Sequence, residues 1–136
     1  MRPSQNLLFI SLVLSVLFWF LNKIAVAFSL FWLLWWYDIP MHFLGGVVLG
    51  AFILWLIGRI GGPFVKPSGV SAIVLSLSLT LFIGVVWEVF EYKFDIAYNS
   101  VLGYWADTAK DLLVDLAGAA LVLWWYLKRT VPGGTS

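Results

Sequence analysis

The 136 residues are 62% hydrophobic, and only 8 Lys or Arg and 7 Asp or Glu carry charge. A soluble domain is roughly half apolar and a quarter charged, so these proportions exclude a water-soluble monomer and point to a compact integral membrane protein, residues 1–136 forming one domain. A formal charge of +1 argues against a nucleic-acid partner, which would need a basic face, and the absence of Cys excludes disulfides, Fe–S clusters and thiolate zinc sites.

In chain order, Arg2 precedes the first apolar run, 7–21, which holds no charge. Ala25-Val26-Ala27 fits the small-x-small pattern of a cleaved signal peptide. Against cleavage stand the length and aromatic content of the run and Lys23 just before the cleavage point. The apolar piece 25–36 is too short to cross a hydrocarbon core of roughly 30 Å at 1.5 Å per residue, and suits an interfacial or re-entrant helix ending in the aromatic belt Trp35-Trp36-Tyr37. The second span, 41–58, follows Pro40, which suits a first helical turn. A Gly/Pro-rich turn at 59–69 leads to the third, 70–91. The fourth, 107–127, begins acidic and ends in Trp124-Trp125-Tyr126 before Lys128-Arg129.

The expected fold is therefore all-α: a small polytopic membrane bundle of four transmembrane helices plus a short interfacial or re-entrant helix, favoured over five spans. Arg2, Arg59, Lys66, Lys128 and Arg129 fall on one side. The positive-inside bias places that side, and both termini, in the cytoplasm of a bacterial or archaeal cell. The tail 132–136 reads as flexible.

The acids are not scattered. Asp38 and His42 are four apart at the start of the second span, Glu88 and Glu91 three apart at the end of the third, and Asp107, Asp111 and Asp115 follow i, i+4, i+8 at the start of the fourth. Each set shares a helical face, and the chain directions bring all three sets to the outer end. An ionised carboxylate facing lipid costs several kcal/mol, so these faces must turn inward. Lys110, a quarter-turn from Asp111, is expected to snorkel outward, and Asp95 reads as a loop charge. Crowded carboxylates with one imidazole share protons or bind cations. Oxygen ligands with one His nitrogen suit Mg²⁺, Mn²⁺, Ca²⁺, Zn²⁺ or Fe. The candidate metal ligands are Asp38, His42, Glu88, Glu91, Asp107 and Asp111, with Asp38 alternatively the acceptor that fixes the His42 tautomer. Gly45, Gly46, Gly50, Gly84 and Gly118 would let the helices approach closely.

The order Asp38-x3-His42-Phe43, Glu88-x2-Glu91, Asp107-x3-Asp111-x3-Asp115-x2-Gly118-Ala119 resembles the VanZ-like membrane proteins, and most closely their uncharacterised YjdF-like inner-membrane branch, over 37–121. The chain departs from VanZ itself in Ile39 after Asp38 where that protein has Lys, Glu91 for Gln, and Asp for Asn in the last helix. The resemblance implies an envelope-facing membrane role and names no reaction. Gly103-x3-Asp107-x3-Asp111 also matches the second half of the CDP-alcohol phosphotransferase signature, but the first half is absent and no arginine is available for phosphates.

Three functional readings follow. In the first, a divalent metal polarises a phosphoryl or acyl oxygen of a lipid, lipid-linked or envelope substrate in a hydrolase or transferase, with Asp115 and Glu91 as candidate catalytic groups and Asp115 as general acid. In the second, the same acids form the relay of a proton- or cation-coupled transporter, although nothing polar continues the path from Asp115 toward Trp124. In the third, the acids only lock helices together. The partners expected are membrane lipid and the substrate; a second copy could close the cleft, and no motif decides it.

Overall fold

A computed structural model describes residues 3–60, 69–94 and 103–130 of the chain. They form five helices: α1 (Pro3–Ala27), α2 (Leu30–Leu33), α3 (Asp38–Ile60), α4 (Val70–Lys93) and α5 (Tyr104–Thr130). Among the described residues there is no strand. Asp95, Arg2, Lys66, most of the 59–69 turn and the 132–136 tail lie outside the described residues.

The helix ends follow local chemistry. Asp38 and Pro40 occupy the first turn of α3, where a carboxylate meets the positive end of the helix dipole and a proline forfeits no intrahelical bond. Gly103, at φ 80, turns the chain into α5, and its carbonyl accepts from the Asp107 amide at 3.0 Å. Lys128 and Arg129 close α5 at its negative end and lie over the rings of Trp124 (4.3 Å) and Trp125 (4.4 Å).

The first helix is longer than the apolar run suggested. It continues through Lys23 to Ala27, so 25–27 belong to α1. Ser29, in the left-handed region at φ 54, then breaks the helix, and α2 is a single turn. One turn rises about 6 Å at 1.5 Å per residue and cannot cross a membrane. The Tyr37 hydroxyl donates to the Leu21 carbonyl at 3.3 Å, folding this corner back onto α1, while Trp32, Leu33 and Trp35 stay exposed.

Among the described residues, three helices are long and apolar enough to cross a membrane: Asn6–Ala27 within α1, then α3 and α4. The fourth long helix, α5, has 27 residues, about 40 Å of rise. Composition sets it apart, because Asp107, Lys110, Asp111 and Asp115 crowd its first half. Outward faces carry large apolar side chains, such as Phe9, Val16 and Trp19 on α1 and Val74, Phe82 and Val89 on α4.

The tightest packing is between α3 and α5, with α1 on the other flank of α3 and α4 against both α5 and α3. The seam is made by small residues. A Cβ on Gly46 would collide with the Asp115 carbonyl, and one on Gly118 with the Phe43 carbonyl. A Cβ on Gly50 would lie 2.8 Å from the Ala119 Cα. Close backbone approach of this kind replaces the hydrophobic drive that lipid cannot supply. Toward the other end, Leu7, Ala51, Leu54, Val122, Leu123 and Tyr126 form the main apolar cluster, and Ile53, Ile57 and Ala72 a second one against α4.

Candidate functional site

The seam sets the depth and rotation of α3 against α5, and thereby brings the start of α3 beside the acidic half of α5. His42, 9% exposed, is held between two carboxylates. Its Nδ1 lies 3.3 Å from Asp115 Oδ1 and its Nε2 3.5 Å from Asp38 Oδ1. A neutral imidazole could donate to only one of these carboxylates, an imidazolium to both. Asp38, His42 and Asp111 each offer a ligand atom within 4.8 Å of the others.

Lys110 corrects the sequence reading. Its ammonium does not snorkel outward. It turns into the cluster, 2.6 Å from Asp107 Oδ1, 3.1 Å from Asp111 Oδ1 and 3.5 Å from Asp38 Oδ2. Three carboxylates outweigh the gain from hydrating one lysine, and the i, i+3 spacing from Asp107 lets the stem fold back along α5. The Lys110–Asp111 contact is Coulombic, not an aligned hydrogen bond: Asp111 Oδ1 is buried with no hydrogen-bond partner. The six acids thus face an imidazole and an ammonium, where the sequence counted the imidazole alone.

The six proposed ligands separate into two groups. Asp38, His42 and Asp111 converge, Asp115 joins them through His42, and Asp107 through Lys110. Glu88 and Glu91, on α4, stand apart from that triad. Glu88, 5% exposed, accepts a 2.7 Å hydrogen bond on Oε2 from the Thr108 hydroxyl, while its Oε1 has no partner. The Tyr104 hydroxyl donates to the Glu88 carbonyl at 3.4 Å, so this glutamate joins α4 to α5. Glu91 lines a cavity of about 270 Å³ between α1, α3 and α4, along with Asp38, His42 and Asp115.

Sequence reasoning missed Thr108, which sits among acids with no pattern of its own. It also missed Ser15, Phe18 and Asn22 of α1, which line the same cavity from a helix without any motif. Deeper in α4, Ser76 and Thr80 are fully buried with hydroxyls that find no partner, in line with Gly84 and Glu88 at four-residue intervals.

Apolar helices of membrane-spanning length around a buried acidic and histidine group define a helical membrane protein with a polar interior at one end. The chain belongs to the family described as "Predicted membrane protein (DUF2238)", which matches residues 3–130. No curated protein and no solved structure matches it.

Proposed function

We propose that α5 is a fourth span, that α2 lies at the interface, and that the outer end of this bundle binds a divalent cation between Asp38, His42 and Asp111. The observation that carries this reading is the spacing of those ligand atoms. Two ligands each about 2.1 Å from a tetrahedral ion lie roughly 3.4 Å apart, and His42 Nε2 and Asp38 Oδ1 are 3.5 Å apart, long for a hydrogen bond. Lys110 holds the neighbouring position, so metal entry displaces its ammonium or shares the carboxylates with it. The orientation with both termini in the cytoplasm, and the kinship with VanZ-like and YjdF-like proteins, belong to the same proposal.

With a metal in place, the site has the parts of a hydrolase or transferase for a lipid or envelope substrate: a Lewis acid to polarise an acyl or phosphoryl oxygen, and Asp115 and Glu91 on the cavity side to move protons. Metal analysis of the purified chain tests the first step. Bound Mn²⁺ or Zn²⁺ that is lost in His42→Ala and Asp111→Ala, with helicity unchanged, supports the reading; a metal content below stoichiometric in every condition sinks it.

A second reading, a proton- or cation-coupled transporter, is favoured by the row Glu88, Thr80 and Ser76. These buried oxygens run from the acidic end toward the apolar half, where the sequence suggested no polar continuation. Flux of protons or cations in liposomes, abolished by Thr80→Val, separates this reading from the first.

A further inference from the structure

The cavity beside the acidic end is an open groove. Its floor is α3 and its walls are α1 and α4, which flank α3 without a packed interface between them. From Asp38 to Leu49 it follows twelve residues of α3, a rise of about 16 Å at 1.5 Å per residue. One end is apolar, lined by Val48, Leu49 and Ile83. The other is lined by Asp38, Glu91 and Asp115, with His42 the sole basic side chain among the described residues; Lys110 approaches the acids from α5 and is not among the lining residues. Trp87 and Phe18 present rings beside those acids, and Trp87 is 45% exposed on the outer face.

We propose that this groove binds a single-chain amphiphile whose head is a primary ammonium, the chain along Val48, Leu49 and Ile83 and the head among Glu91, Asp115 and Asp38. Charge complementarity selects the head. Three carboxylates against one imidazole repel an anion, and an ammonium has three N–H donors to give them. Glu91 is the open acceptor, since among the described residues it makes no ion pair. Trp87 and Phe18 line the same groove, where an ammonium over either ring gains cation–π attraction. Size selects one chain: about 270 Å³ lies just below the roughly 300–1,000 Å³ of ordinary ligand pockets. A gap between α1 and α4 that opens to lipid would let the ligand enter laterally, its chain never crossing water. The proposal names a ligand class for the site described above and rests on that reading for the membrane setting alone; it requires no metal.

The test uses the full chain in detergent with a chelator present, so that failure of the metal reading leaves it unaffected. Dodecylamine, dodecanol and dodecanoate are compared by native mass spectrometry and thermal shift. The amine is expected to bind at least about tenfold more tightly than either of the others, to lose about tenfold in Glu91→Gln, and to lose binding in the groove-filling variants Leu49→Trp and Ser15→Phe. Two such variants on different helices guard against one that misfolds. Equal binding of all three heads, or amine binding unchanged when the groove is filled, overturns the proposal. So does dodecanoate binding that outstrips the amine, or a dimer in the native spectrum that dissociates in Ser15→Phe, which would make the occupant a second copy. In nanodiscs doped with lysolipids, retention of lysophosphatidylethanolamine over lysophosphatidylcholine identifies a single-chain membrane aminolipid as the source, and retention of neither with the amine still bound identifies a free amine; both support the ammonium site.

Discussion

The two flanks of α3 are built on opposite principles. On one, glycines let α5 come within backbone contact, and the polar groups carried by that seam meet one another at fixed distances. On the other, α1 and α4 stand apart and leave a groove. The closed flank fixes the rotation of two helices, which is what a site assembled from both requires. The open flank leaves room for a ligand. One helix serves both, because Gly45 faces the groove and its neighbour Gly46 faces the seam.

That adjacency gives the strongest way to break the comparison. Gly46→Ala places a methyl group into the Asp115 backbone, and overpacking against rigid backbone is expected to cost about 3 kcal/mol or more. A large drop in melting temperature in detergent, with loss of any bound metal, is the expected result; a melt like that of the parent chain would mean the seam is not as tight as described.

Next in size is Lys110→Met. Removing the ammonium leaves Asp107 and Asp111 without a cation and Asp38 with His42 alone, a loss of about 3 kcal/mol for a largely buried charge cluster. Under the metal proposal, Mn²⁺ or Zn²⁺ restores the melting temperature and binds more tightly than in the parent chain. Destabilisation that no cation repairs would instead favour a purely structural role for the network.

Thr108→Val removes the hydroxyl that bonds Glu88, and about 1.5–2 kcal/mol is expected from a hydrogen bond to a charged or buried acceptor. Denaturant titration monitored by Trp fluorescence measures it, and the effect should fall on the α4–α5 contact without altering metal content. Smallest is Gly45→Ala. Its Cβ would meet Phe18 at 3.8 Å and Asp115 Oδ1 at 3.9 Å, ordinary contact distances, so stability should stay within about 0.5 kcal/mol. A large change there would show that the two flanks are not distinct.

Much of the bundle was readable from hydropathy because span length and apolar content are local properties. The cores of α3 and α4 stand close to the expected 41–58 and 70–91. The start of α3 could be placed from Asp38 and Pro40. The length of α1 could not, because Lys23 and Asn22 look like an end when helical hydrogen bonding carries on through them. The polar end was partly legible: periodicity grouped the acids, but it could not say that Asp38 and Asp111 would meet while Glu91 faced a groove. Lys110 was misread for the same reason. Beside an isolated helix, water is its best solvent; beside Asp38 of another helix, the carboxylates are.

What the sequence by itself determined is the class of protein: membrane-bound, helical, with its acids concentrated at one end. Composition and 3.6-residue periodicity suffice for that, since each concerns one segment and its solvent. Only the tertiary structure decided which acids share a site, where the lysine points and that α1 contributes to a groove. Those outcomes depend on the relative rotation of helices, and rotation is set where Gly46, Gly50 and Gly118 let two backbones meet. No spacing within a single helix contains that angle.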